Sequence, residues 1–134
     1  MLMRYLIDTQ ILIWTIVDPN RLSENTISIL RRNIILVSQV SLFEIAIKQK
    51  IRKLPKLNIT MSVLIEHIKE DNFEILNIKD KHISEYSHIP LVAHHRDPFD
   101  RLILATAFSE NIPVISADEK FKNYESIIQL IENK

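Results

Sequence analysis

Short apolar runs alternate along this chain with longer stretches in which apolar residues recur at helical spacing. Leu2 to Ile7 is such a run, and it predicts a buried strand that ends on a carboxylate, Asp8. Ile34 to Val37 predicts a second strand, the alternating Phe73 to Ile78 a third, Pro113 to Ser116 a fourth and Ile127 to Ile131 a last. Helices are expected between them. One covers Thr9 to Val17 and stops near Asp18-Pro19-Asn20, and one runs from a Ser23 cap to Arg32. Another opens at Ser38 or Ser41 and continues through about Gln49. Thr60 caps a further helix whose Met61, Leu64, Ile65 and Ile68 form an amphipathic stripe, and a helix near Asp80 to His88 turns Ile83 and Tyr86 inward. Asp97 and Pro98 start the helix that carries the apolar run Leu102 to Phe108. Strands alternating with helices in this way predict an α/β fold with a mainly parallel sheet, and no linker or repeat divides residues 1–134 into more than one domain.

Composition narrows the chemistry. The 134 residues are 46% hydrophobic, enough for one sizeable core. Seventeen basic residues balance seventeen acidic ones, so no overall field draws the protein to a polyanion, which must be held by a local patch or a bound metal. The absence of cysteine removes disulfide frameworks, thiolate metal sites and cysteine nucleophiles, and it is compatible with a cytoplasmic protein. Glycine is absent too, which excludes a P-loop and a dinucleotide fingerprint. Asn33, Asn72 and Asn111 are expected to end helices where glycine would otherwise serve. The apolar run Ile11 to Val17 is too short to span a bilayer, and no membrane association is expected.

The most informative stretch is His94-His95-Arg96-Asp97-Pro98-Phe99-Asp100-Arg101-Leu102. With Asp97 as N-cap, Asp100 lies in the first turn, where free amides and the helix dipole favour a carboxylate able to hold a cation. The same spacing also describes a capping box with a purely structural role. Glu44 sits among Leu42, Phe43, Ile45, Ala46 and Ile47, and shares a helix face with Ser41 and Lys48; it is either a site carboxylate or one half of a solvated pair with Lys48. Asp8 and Asp118 follow predicted strands, and ligands of parallel sheets bind beyond the strands' carboxyl ends at a topological switch point. Four acids from four parts of the chain can therefore meet at one edge. The basic run Lys48 to Lys56 reads as a solvated helix end or as a phosphate contact. His94 and His95 read as structural or substrate-positioning residues, and His67, His82 and His88 lack zinc spacing.

Taken together, Tyr5-Leu6-Ile7-Asp8-Thr9, Ser41-Leu42-Phe43-Glu44-Ile45-Ala46-Ile47-Lys48, His95 to Leu102 and Ser116-Ala117-Asp118 resemble the acidic motifs of PIN-domain nucleases, and most closely the VapC-like toxins of bacterial toxin–antitoxin pairs. The resemblance covers nearly the whole chain, with the motifs in order. It implies a three-layer sandwich with a five-stranded, mainly parallel sheet between helices, and Mg²⁺- or Mn²⁺-dependent cleavage of RNA, whether tRNA, rRNA or mRNA. Asp8, Glu44, Asp100 and Asp118 carry over as catalytic and metal-binding acids. Thr9, Ser41 and Ser116 are expected beside the carboxylates, Asp97 as the cap and as an i,i+4 partner of Arg101, and Arg96 as a phosphate contact. Such chemistry suits these residue types: Mg²⁺ and Mn²⁺ prefer carboxylate and water oxygens, and clustered carboxylates repel one another unless a cation lies among them. The resemblance further implies a homodimer and a small DNA-binding antitoxin (VapB-like) that lays a helix on apolar faces near Ile11 to Trp14 and Leu42 to Ile47. A catalytically silent module of the same fold, binding RNA or a protein partner, is the alternative, although no acid of the set is missing. Receiver domains and aspartyl phosphatases fit less well, because Asp8 is followed by Thr9-Gln10 and lacks their paired acids.

Overall fold

A computed structural model describes residues 3–92 and 95–134. Leu2, expected to begin the first strand, and His94 lie outside the described residues. Five strands, β1 (Arg4–Ile7), β2 (Ile34–Ser38), β3 (Glu74–Leu76), β4 (Val114–Ser116) and β5 (Leu130–Glu132), form one sheet in the order β3-β2-β1-β4-β5. Every pairing is parallel, with Leu6 opposite Leu36 and Val114. The chain builds outward from β1 through β2 to β3, then crosses to the other side of β1 for β4 and β5. The switch point therefore lies between β1 and β4.

Side chains alternate across the sheet, and the two faces bury separate cores. Ile7, Ile35, Val37 and Ile115 face α1 (Thr9–Val17), α3 (Gln39–Lys50) and α4 (Met61–Glu70), with α2 (Glu24–Arg32) packed at the margin of that core. Leu6, Leu36 and Val114 face α6 (Pro98–Glu110) and the 3₁₀ segment Glu119–Tyr124, with Phe121 and Tyr124 fully buried. Between β3 and α6 runs the short α5 (Asp80–Glu85). The three-layer α/β sandwich expected from the sequence is the observed architecture.

Local chemistry sets the helix boundaries. Ser23, Ser38, Thr60 and Asp97 each accept a hydrogen bond from an amide in the first turn of the helix that follows, so Ser38 and not Ser41 opens α3. Asn72 and Asn111 occupy the left-handed region at φ 62° and 55°, as expected of glycine substitutes. Asn33 does not: its backbone is extended at φ −136°, and it closes α2 through its side-chain amide, which donates to the Ile29 carbonyl. The third left-handed residue is Arg52 at φ 60°, where the Lys53 amide returns to the Lys48 carbonyl and ends α3.

Other differences have similar causes. β3 and β5 are edge strands, and each is three residues long. Ile127 and Ile128 are not in β5, because both amides turn back to the Tyr124 carbonyl. In α5 the inward residue is His82, and Ile83 is 57% exposed. His82 accepts from the Lys79 amide at Nδ1 (3.1 Å), which leaves Nε2 to donate to Glu110 on α6 (2.8 Å). A side chain held in that way faces α6 and rotates its neighbour Ile83 into solvent.

Candidate active site

The carboxyl edge of the sheet gathers four acids because four elements begin or end there. Asp8 follows β1 and caps α1, with Oδ1 accepting the Ile11 amide at 2.8 Å. The β1–β4 register, carried one residue further, sets Asp8 beside Ser116, whose hydroxyl donates to Asp8 Oδ2 at 2.5 Å. Ser116 Oγ also accepts the Asp118 amide at 3.0 Å, which ties the ends of the two central strands together. Asp118 in turn caps the following 3₁₀ segment through the Lys120 amide.

Glu44 enters from α3 and Asp100 from the first turn of α6. Glu44 is buried; its Oε2 holds Lys48 Nζ at 2.9 Å, while its Oε1 is buried without a hydrogen-bond partner. The expected pair with Lys48 is formed, though on a buried rather than a solvated carboxylate, and the second oxygen is left without a partner. Asp100 is not the reciprocal half of a capping box, because its carboxylate accepts from His95 Nε2 at 2.9 Å. Asp97 alone caps α6, accepting the Phe99 and Asp100 amides.

Electrostatics register the crowding. Burial pushes the Asp8 carboxyl up from 3.8 to about 7; Ser116 and the Ile11 amide oppose this, and the charges of Asp100 and Asp118 add to it. Asp100 is pushed up to about 6, chiefly by burial, with His95 opposing and the charges of Asp97 and Glu44 adding. Asp100 and Asp118 thus lie within electrostatic reach of Asp8, and Glu44 within reach of Asp100. Such a cluster disfavours its own ionisation and favours a cation.

His95, read from the sequence as a structural or substrate-positioning residue, is in direct contact with Asp100. His95 is buried against Phe121 and Tyr124, with ring centroids 5.7 and 5.4 Å away, and it aims Nε2 at Asp100. His95, Asp100 and Asp118 offer ligand atoms that all lie within 4.8 Å of one another. The signal in the sequence was position alone, five residues before Asp100.

The supporting residues divide. Thr9 donates to Ser41 at 2.8 Å, joining the start of α1 to the α3 face that bears Glu44. Arg101 does not pair with Asp97. It is buried, donating to the carbonyls of Ile89 and Pro90 at 2.8 Å each and to the Tyr86 hydroxyl at 3.2 Å, with its guanidinium 5.0 Å from the Tyr86 ring centroid. Those carbonyls satisfy the guanidinium, so no charge partner is required. Arg96 is exposed, and Lys50, Arg52, Lys53 and Lys56 are exposed at the end of α3 and in the loop beyond it.

A parallel sheet covered on both faces, with acids converging at its switch point and a buried carboxylate oxygen left over, defines the class: an α/β sandwich with an acidic cluster at the carboxyl edge of its sheet. The chain belongs to the PIN-domain family: the family model, described as PIN domain, matches residues 5–127. No curated protein matches the chain in sequence. Among solved structures, the chain is similar to VapBC2 from Rickettsia felis bound to a promoter DNA fragment, at TM-score 0.68 and 18% identity over 98% of this chain and 100% of that one. It is similar to DNA-bound VapBC from Salmonella typhimurium, at TM-score 0.65 and 16% identity over 99% and 100%. It is also similar to VapBC-5, described as a toxin–antitoxin system member from Mycobacterium tuberculosis, at TM-score 0.61 and 17% identity over 98% of each chain. At these identities the likeness is one of fold. No described helix is long and apolar enough to cross a membrane.

Proposed function

We propose that this protein is a metal-dependent endoribonuclease and the toxin of a toxin–antitoxin pair in the cytoplasm. The observation that carries the reading is the convergence of Asp8, Glu44, Asp100 and Asp118 in a chain of the PIN-domain family. Asp100 and Asp118, with Asp8 and Glu44 beside them, would hold Mg²⁺ or Mn²⁺. The fit rests on the unpartnered Glu44 Oε1, the close approach of the Asp100 and Asp118 oxygens, and two carboxyls pushed well above their ordinary range. Bound there, the cation supplies an activated water and charge stabilisation at a phosphodiester.

The chain's own residues do the positioning. Ser116 and the Ile11 amide fix the Asp8 carboxylate, His95 fixes Asp100, and Lys48 fixes Glu44 while presenting a positive charge at the site's margin. Thr9 and Ser41 keep α1 and α3 in register beneath the acids. Arg96, exposed one residue after His95, is suited to a substrate phosphate.

A partner that silences the site is part of this reading, because the structurally similar proteins are VapBC assemblies. A cavity of about 300 Å³ between α1 and the loop after α3 is lined by Ile13, Trp14, Val17, Leu54 and Leu57, with Lys53 and Lys56 at its margin. It suits an apolar antitoxin segment carrying acidic residues. A homodimer is part of the same reading.

The test is cleavage of a labelled tRNA and rRNA pool by the purified chain, with Mn²⁺ or with EDTA, beside Asp100→Asn protein prepared identically. Discrete cuts that need metal and vanish in Asp100→Asn support the nuclease. Equal behaviour of the two proteins, with no metal binding on titration, identifies the chain as a silent module of the same fold.

A further inference from the structure

Two aromatic side chains stand next to the acids and have no part in holding them. Phe43 precedes Glu44 on α3, and Phe99 precedes Asp100 on α6. Successive helical residues project about 100° apart, so where Glu44 and Asp100 turn into the site, the residues before them turn to its rim. The two rings meet there edge to face, with centroids 6.1 Å apart and planes at 67°. Phe43 is nevertheless 61% exposed, an apolar ring held in water at the mouth of a charged site.

An edge-to-face pair leaves the face of at least one ring uncovered, and a fixed, uncovered ring face is what an unpaired nucleobase stacks on. The surrounding charge suits the rest of a nucleotide. Lys48 is part-exposed beside Glu44, and Arg96 is exposed three residues before Phe99. A second copy of the chain fits this patch poorly. The other exposed positions of α3 are Gln39 and Lys50, both polar, whereas a stable subunit interface buries roughly 800 Å² on each partner around an apolar centre.

We propose that Phe43, braced by Phe99, is a stacking platform for one unpaired base of the strand cut at the adjacent acids, and so selects single-stranded over duplex RNA. The proposal rests on the ribonuclease reading, and its test separates the two. The probes are short single-stranded RNA oligomers of randomised sequence in which 2-aminopurine replaces some bases. Fluorescence is followed on rapid mixing with Mg²⁺ present, and cleavage is followed afterwards. Wild type is compared with Phe43→Ala, Phe43→Leu and Phe43→Trp, each checked by circular dichroism and sedimentation.

The expected result is quenching of 2-aminopurine by wild type. Phe43→Ala and Phe43→Leu should lose it and raise KM about ten-fold with kcat little changed, and Phe43→Trp should restore both. If wild type cleaves but the Ala and Leu variants quench and cleave like it, the platform is overturned while the nuclease stands. Wild type that neither cleaves nor quenches overturns the nuclease and the platform together. If Phe43→Ala sediments at half the mass of wild type, the rings are a subunit contact and the platform is overturned.

Discussion

Replacing Asp8 with asparagine separates the charge of the site from the structural work of the same side chain. The amide oxygen of Asn can still accept the Ile11 amide and keep α1 capped, and its NH₂ can donate to Ser116 Oγ. The charge is lost, and the bond to Ser116 reverses so that its hydroxyl accepts instead of donating. Asp8 is 4% exposed, and its carboxyl is raised from 3.8 to about 7 in the folded protein. Between those two values the folded state holds a proton that the unfolded chain has released, so metal-free stability falls as pH rises from about 4 to about 7 and is level above that. Three pKa units at ~1.4 kcal/mol each amount to about 4 kcal/mol of destabilisation near pH 8. Asp100, raised to about 6 mainly by its own burial, acts in the same direction. In chelator near pH 8, Asp8→Asn should therefore be more stable than wild type by up to about 4 kcal/mol, a rise in Tm on the order of 10 °C. At acid pH, where Asp8 is protonated in both states, the difference should vanish. Calorimetric melts of both proteins at the two pH values are the assay. Mn²⁺ at about a hundred times its Kd should recover ~2.7 kcal/mol in wild type and much less in the variant. Asp8→Asn melting at or below wild type near pH 8 in chelator would refute the reasoning, since it would mean the charge at that position costs nothing to keep.

Arg101→Met keeps an unbranched apolar stem but strands the Ile89 and Pro90 carbonyls and the Tyr86 hydroxyl; a loss of about 2–4 kcal/mol is expected in urea unfolding. Arg52→Gly removes a Cβ from a left-handed backbone at φ 60°, and should raise stability by about 1 kcal/mol in the same assay. Glu110 is lowered from 4.5 to about 2, first by its hydrogen bond from His82 and then by Lys81, so its contribution is present above pH 4.5 and lost as pH falls toward 2. Lys81 and Arg4 are 55% and 42% exposed, which screens the gain to roughly 1–2 kcal/mol. Glu110→Gln should flatten that acid limb in melts taken across the range.

What could be read from the sequence was what depends on neighbours a few residues away. Ser23, Thr60 and Asp97 were legible as caps because capping joins a side chain to an amide two or three residues on. The acids were legible because strand ends and helix starts bring them to one edge whatever packs behind. Arg101 was misread for the converse reason. A local rule offers Asp97 four residues back, but the loop before α6 brings the Ile89 and Pro90 carbonyls to the same guanidinium, and two short hydrogen bonds, one buried and one part-buried, outcompete one exposed ion pair. The roles of His82 and His95 depend on still more distant partners: Glu110 lies 28 residues from His82, and Phe121 and Tyr124 lie on the far side of α6 in sequence from His95. Apolar spacing turns Ile83 inward in α5, but it is His82 that sets the inward face and leaves Ile83 exposed.

The site also shows how a chain without glycine can concentrate four carboxylates and still fold. Each acid is tied into the scaffold by a separate contact: Asp8 by the Ile11 amide and Ser116, Glu44 by Lys48, Asp100 by His95, Asp118 by the Lys120 amide. Those contacts hold the side chains in place but do not offset burial, which, with a smaller addition from neighbouring acids, raises the Asp8 and Asp100 carboxyls. A positive charge at the centre would relieve that penalty, and among the described residues the lysine or arginine bonded to one of the four is Lys48, at the margin. Burial that opposes ionisation and geometry that resists separation together store a preference for a cation. Under the proposed function, fold stability and cation binding are one linked equilibrium, in which weakening a tie such as His95–Asp100 should lower cation affinity even where the proposed ligating oxygens are untouched.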